Sequence, residues 1–356
     1  MAINLDDPQV YARFDPSNML GRIRELPQQC RQAWSNATDF SLPSDYSKVD
    51  KVIILGMGGS AIGGDLVSSL VLEQGGLPVL VHRDYDLPSS VDSRTLVIAS
   101  SYSGNTEETL SCFAQALKTS AKKLAITTGG RLKALAEESG IPLLSFHYVA
   151  EPRAAFGYSF FSILGLFQKL GFLPIKSEEI EDAIELTQDL SLKLEGNAPL
   201  ASNPAKQLAT KLLGRLALVY GAGILSKVAL RWKTQFNENS KTWAFAECFP
   251  ELNHNAVVGY RFPPWLAKKA FVVLLRSPSL HPRTQIRYQV TADLLTDAGV
   301  EHEVIETQGE SYLSQIMSVV LFGDYVSYYL AILNQVDPAP VAAIDYLKER
   351  LGKIEI

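Results

Sequence analysis

The sequence predicts an α/β protein of two similar halves, each a parallel sheet flanked by helices, with helical extensions at both ends. Three observations carry this. From residue 51 onward, short apolar β-rich runs alternate with helical patterns, as buried parallel strands with helices on both faces require. Two of those runs end in glycines, Gly56-Met57-Gly58-Gly59 and Gly221-Ala222-Gly223. Elements of the second half echo those of the first at an offset of about 165 to 175 residues, the mark of an internal duplication.

Residues 1–48 form a helical lead-in: Ile23–Leu26 and Cys30–Trp34 place apolar side chains at helical spacing, and Leu42-Pro43-Ser44 turns the chain. In the first domain, 49–178, strands are predicted over 51–55, 78–81, 95–99, 123–127 and 142–144. Residues 179–209 are a charged helical linker broken at Gly196 and Pro199. In the second domain, 210–336, the run 216–220 echoes 52–55, 270–275 echoes 96–99, and 302–305 echoes 124–126. Within the tail, 337–356, Asp337-Pro338-Ala339-Pro340 turns into a short amphipathic helix over 341–351.

The chain has 356 residues, 47% apolar and 20% charged, with a formal net charge of −5. That length suits two domains, and the acidic balance speaks against a non-specific nucleic-acid binder. Cys30, Cys112 and Cys248 are far apart with no CxxC pair, so neither a disulfide framework nor a zinc site is expected. The N-terminus lacks the basic-then-apolar pattern of a signal peptide. The apolar stretches near 160–167 and 316–333 are interrupted by Lys169 and Asp324, so no membrane span is expected. A cytoplasmic protein is the expectation.

Two loops point to an anionic ligand. Gly56-Met57-Gly58-Gly59-Ser60-Ala61 follows a strand and opens a helix, where free N–H groups face an anion. It also fits the dinucleotide pattern G-x-G-x-x-A, with Asp84 after the next strand as a ribose-binding acid, and this alternative stays open. The third strand ends in Ser100-Ser101-Tyr102-Ser103-Gly104-Asn105-Thr106-Glu107. Its hydroxyl and amide side chains can donate to phosphate oxygens, and Thr106 is placed to cap the next helix.

The run S-x-S-G-N-T-x-E after a strand resembles the phosphate-binding loop of the sugar isomerase (SIS) family. Nearly the whole chain is similar to the bifunctional phosphoglucose/phosphomannose isomerases, which carry two such domains. The resemblance implies that Ser101, Ser103 and Thr106 bind phosphate while Gly59 and Ser60 contact the sugar.

Interconverting an aldose and a ketose phosphate requires ring opening, a base that moves a proton between C1 and C2, and stabilisation of an enediolate. Glu238, in Asn237-Glu238-Asn239-Ser240-Lys241, stands between Phe236 and Trp243, whose burial would raise a carboxyl pKa; a solvated turn is the competing reading. His254, in Pro250-Glu251-Leu252-Asn253-His254-Asn255, is flanked by amides that could orient its ring. Arg153, in Pro152-Arg153-Ala154-Ala155, is permanently charged and suits enediolate stabilisation, or else a surface ion pair. Lys348, in Ile344-Asp345-Tyr346-Leu347-Lys348, reads from its residues as a solvated helix face, with Lys353 a lesser candidate.

For these four positions the resemblance implies roles: Glu238 as proton acceptor, His254 as ring-opening group, Arg153 on the enediolate and Lys348 as a catalytic lysine. It implies a hexose 6-phosphate substrate, no metal and no organic cofactor. It also implies a homodimer in which the histidine loop reaches the partner's site. Where family members often carry a threonine associated with the second epimer, residues 337–341 offer no hydroxyl, so glucose 6-phosphate is implied more firmly than mannose 6-phosphate. A non-catalytic sugar-phosphate sensor is the alternative.

Overall fold

Continuous apolar strands bury both of their faces, and that sets the layering of this chain. The computed structural model describes residues 3–354; the ends of the predicted lead-in (1–2) and tail (355–356) lie outside the described residues. Helices α1 (Pro8–Phe14), α2 (Met19–Arg24) and α3 (Leu26–Asp39) form the lead-in. The first half then runs β1 (Lys51–Leu55), α4 (Gly58–Gln74), β2 (Val79–His82), β3 (Thr95–Ser100), α5 (Glu107–Leu117), β4 (Lys122–Thr127), α6 (Gly130–Glu138), β5 (Leu143–Ser145) and α7 (Phe156–Lys169). Its five strands pair in parallel in the order β2-β1-β3-β4-β5.

After α8 (Ser177–Leu194) and α9 (Pro204–Leu212), the second half runs β6 (Leu216–Gly221), α10 (Ser226–Glu238), β7 (Ala244–Cys248), α11 (Pro264–Ala267), β8 (Ala270–Arg276), α12 (Pro282–Asp297), β9 (Glu301–Glu306) and α13 (Tyr312–Leu333). The strands pair in parallel in the order β7-β6-β8-β9. The tail ends in α14 (Ala342–Leu351). The first four strand positions of each half therefore share one order. Gly58 and Gly223 sit at equivalent turns with φ of 49° and 51°, a conformation that glycine adopts without strain. Strand β7 was not anticipated. Ala244-Phe245-Ala246-Glu247-Cys248 lacks the branched apolar run of its neighbours and, at the edge of the sheet, buries only Ala244 fully while Phe245 and Cys248 are exposed.

One core joins the halves. The inner faces of both sheets, with α3, α4, α7, α8, α9, α10 and α13, contribute to a single buried cluster. The outer face of the first sheet packs separately on α5 and α6, and the outer face of the second on α12. The predicted linker is thus no loose connection: α8 and α9 both pack against α13.

Helix α13 is 22 residues long and, contrary to the expectation from Asp324, is apolar enough to cross a bilayer by length and composition. Its most apolar stretch is 94% buried inside the fold. Asp324 is tolerated there because Arg231 of α10 donates to both its oxygens, at 2.9 and 2.7 Å, and Gln235 donates at 2.9 Å. Arg231 also stacks over Phe156, 4.0 Å from the ring centre. Removing one partner strands the other as an uncompensated buried charge. Asp324→Ala should lower unfolding free energy by about 3–5 kcal/mol, read by urea denaturation; a loss below about 1 kcal/mol would show that the pair is not buried as described.

Candidate active site

At the carboxyl edge of the first sheet, the loops after β1 and β3 interlock. The Tyr102 N–H donates to Ser60 Oγ at 2.9 Å, and Ser100 Oγ donates to the Ser60 carbonyl at 3.3 Å. Ser101 and Thr106 share a hydroxyl contact of 2.9 Å, and the Gly104 N–H donates to Ser101 Oγ at 3.1 Å. Thr106 does occupy the N-cap position of α5, but its hydroxyl makes no capping bond. It turns to Ser101 instead, so the first-turn N–H groups of α5 stay open toward an anion. Ser103 is exposed at the rim, its Oγ accepting from the Asn105 N–H at 3.2 Å.

Two glycines are demanded by this packing. Gly104 has φ 65°, and a Cβ there would lie 1.8 Å from the Gly129 carbonyl oxygen. Gly59 lets the glycine loop lie against the turn that carries Arg153: a Cβ would meet Pro152 at 3.0 Å and the Arg153 Cα at 3.1 Å. Ser159 of α7 ties the same loop by donating to the Gly59 carbonyl at 3.0 Å.

Arg153 is 2% exposed and reaches from that turn into the second half. Nε donates to Asn239 Oδ1 at 2.6 Å, Nη1 to Glu238 Oε2 at 3.4 Å, and Nη2 to the Pro338 and Ala339 carbonyls at 2.5 and 2.8 Å. Burial weakens its hold on the proton, and the Glu238 and Glu151 carboxylates counteract that. Of the five guanidinium N–H groups, only one, on Nη1, lacks a protein partner among the described residues.

The aromatic enclosure expected for Glu238 does not form. Phe236 is buried in the core from its place on α10, and Trp243 is 79% exposed, turned toward Phe245. The neighbour of the carboxylate is the Arg153 guanidinium, and the Glu238 side chain keeps 25% of its surface open. Asn239 is the residue the sequence reasoning passed over. It accepts from Arg153 and donates to Ser327 Oγ at 3.0 Å, so it holds the base-bearing turn against α13. Its place inside the Glu238 motif was the available signal.

His254 and Lys348 are not brought to this cluster. His254 is exposed, and the amides expected to orient it are engaged elsewhere: Asn253 donates to Thr291 and Asn255 to Glu251, each at 2.8 Å. Leu252, two residues earlier, packs with Val272 and Leu274 on the outer face of the second sheet. Helix α10, carrying Glu238, packs with Val219 and Val273 on the inner face. The sheet stands between His254 and Glu238 within one chain. Lys348 lies on α14, which has no buried residue; Lys353 is tied to Glu349 at 2.5 Å.

The duplicate loop in the second half has a different fate. Ser277 donates to Gln315 at 2.6 Å, and Gln315 donates to Ser279 at 2.9 Å, so its hydroxyls are engaged internally. Asp84, the alternative ribose acid, accepts from the N–H of its own neighbour Tyr85. Among the described residues no three His, Cys, Asp or Glu side chains gather as metal ligands.

Fold and loops together define an SIS-domain protein: residues 45–163 match the SIS domain model, and residues 201–351 match that of the bacterial phospho-glucose isomerase C-terminal SIS domain. A bifunctional phosphoglucose/phosphomannose isomerase of Caldicellulosiruptor bescii is 43% identical over 338 residues, covering 95% of this chain and 100% of the relative. One of the same name from Aquifex aeolicus is 34% identical over 313 residues, covering 88% and 93%. The C-terminal domain of a glucosamine-fructose-6-phosphate aminotransferase from Francisella tularensis shares the fold, with a TM-score of 0.72 at 16% identity, covering 90% and 98%. The chain belongs to the bifunctional phosphoglucose/phosphomannose isomerase family.

The two demands on glycine are separable. Gly75 has φ 80° with nothing within 4 Å of a Cβ, so Gly75→Ala should cost about 1–2 kcal/mol from backbone strain alone. Gly104→Ala adds a collision with the Gly129 carbonyl and should cost clearly more in urea unfolding; equal losses would mean that the loop after β3 is not packed as described.

Proposed function

We propose that this chain is an aldose–ketose isomerase that interconverts glucose 6-phosphate and fructose 6-phosphate, and mannose 6-phosphate and fructose 6-phosphate, through a cis-enediol. The observation that carries the reading is the Arg153 bridge. Its turn lies against the glycine loop at Gly59, and its guanidinium meets Glu238 at 3.4 Å. A sugar whose phosphate sits among Ser101, Ser103, Thr106 and the first turn of α5, against Gly59 and Ser60, then has its other end toward the carboxylate.

From the aldose, Glu238 takes the proton at C2 and the electron pair passes through C1 to O1, giving the enediolate. The hydroxyl proton moves from O2 to O1, and Glu238 returns its proton to C1, so the ketose forms without net loss or gain. The remaining Arg153 N–H stabilises the developing oxyanion. Glucose and mannose 6-phosphates share this enediol, and rotation about C2–C3 lets one base serve both. The backbone at 338–339 is engaged with Arg153 and residues 337–341 carry no hydroxyl, so mannose 6-phosphate is expected to form more slowly.

With fructose 6-phosphate in deuterated water, the product aldoses should carry deuterium at C2, with equal rates with and without EDTA. Glu238→Gln should retain substrate binding and lose about 10²–10⁴ in kcat. Wild-type protein that binds the sugar phosphate without turning it over would instead establish the sensor.

The protein is further proposed to be a cytoplasmic homodimer, with His254 opening the ring in the partner's site. Three free cysteines suit a reducing compartment. The placement of His254 across the sheet from Glu238 supports the shared site, as does the exposure of Val258, Phe262 and Trp265 just beyond it. Mixing inactive Glu238→Gln and His254→Asn subunits should restore about a quarter of wild-type activity, since half the dimers are mixed and each regains one site. No recovery after verified subunit exchange would contradict sharing.

A further inference from the structure

We propose that Lys241 is a positioning residue of the isomerase site, its ammonium tying the main chain of Glu238 to the root of the C-terminal helix. The proposal rests on the reading of Glu238 as the base.

The backbone marks the position first. Lys241 has φ 55°, in the left-handed region where glycine is the economical residue. A lysine there puts a side chain where the turn itself has no use for one, so the side chain is what the position employs. The residue is exposed as a whole, yet its ammonium turns inward. Nζ donates to the Glu238 carbonyl, one of the orphan acceptors at the end of α10, and to the Pro338 carbonyl at 3.1 Å. Arg153 donates to the same Pro338 oxygen at 2.5 Å and to Ala339 at 2.8 Å. Two cations from different segments thus converge on one carbonyl, next to the base.

Pro338 and the buried Ala339 beside it are the last anchored residues before the C-terminal helix. Beyond them α14 has no buried residue, so what fixes the tail relative to Glu238 is its root at 337–339. Arg153 holds the root to the first half, and Lys241 holds it to the base's own turn.

The ammonium is a titrating clamp. Partial removal from water and the nearby Arg153 bring its pKa down to about 8, while Asp337, Glu238 and Glu151 pull the other way. Below that pH Lys241 is charged and donates to both carbonyls. As pH rises through it, the proton is lost and the Pro338 contact weakens. Arginine would stay charged throughout this range.

The test uses the full-length protein, Lys241→Met and Lys241→Arg. In Lys241→Met, kcat for fructose 6-phosphate should fall on the order of 10- to 100-fold, with little change in KM, because the phosphate loop is untouched. Hydrogen-exchange protection over 336–342 should drop with it. Wild-type kcat should decline above about pH 8, and Lys241→Arg should restore kcat to within a few-fold and lose that decline. Wild-type kcat, pH profile and protection in Lys241→Met would overturn the proposal, as would a Lys241→Arg protein as impaired as Lys241→Met with protection unchanged. If wild type fails to isomerise fructose 6-phosphate, the functional reading falls separately. Protection over 336–342 in Lys241→Met then still decides whether the clamp exists.

Discussion

A permanently charged guanidinium, almost wholly buried at the junction of two halves, is the constraint from which the site follows. Arg153 cannot shed its charge to suit its surroundings, so acceptors must be assembled around it. The acceptors come from two places, the base-bearing turn through Glu238 and Asn239 and the tail through Pro338 and Ala339, while Gly59 gives the turn that carries Arg153 room to approach. Satisfying one cation therefore sets the position of the carboxylate, the root of the C-terminal helix and the glycine loop together. Its stabilising value is secondary, since a buried charged group is a weak source of net stability; its effect is to specify geometry.

The duplication explains why the labour is divided. Both halves keep the strand order and the left-handed glycine after their first strand, but after its third strand the first carries the crowded hydroxyls of Ser100, Ser101, Tyr102, Ser103 and Thr106, where the second has Ser277 and Ser279. In the second half Gln315 engages the equivalent serines, and the contribution shifts to the far end of α10, where Glu238 emerges. The common core, including α10, α13 and the inner faces of both sheets, makes the two contributions one rigid frame. Asp324 belongs to that frame. It anchors α10 through Arg231 and Gln235, about two turns and one turn before Glu238 respectively.

Much of this was legible in the residues. Apolar runs ending in glycine announced β1 and β6, and the crowded hydroxyls of residues 100–109 announced the loop after β3. The edge strand β7 was not legible, because Ala244-Phe245-Ala246-Glu247-Cys248 has none of the β-branched residues that marked the edge strands β2 and β9. Local reading also misjudged side-chain neighbours. It placed aromatics around Glu238, amides around His254 and a cap at Thr106, each adjacent in sequence but turned to other partners in the fold. The actual neighbour of Glu238 is Arg153, which only the tertiary structure brings close. Asp324 looked like an interruption of an apolar helix because its partner lies on α10.

The most direct measurement of the central claim is a crystal structure with fructose 6-phosphate bound. The account predicts the phosphoryl oxygens within hydrogen-bonding distance of Ser101, Ser103 and Thr106, and C1 and C2 about 3–3.5 Å from the Glu238 carboxylate. A sugar phosphate bound at that loop with its first two carbons turned away from Glu238, or a phosphate held elsewhere, would contradict it.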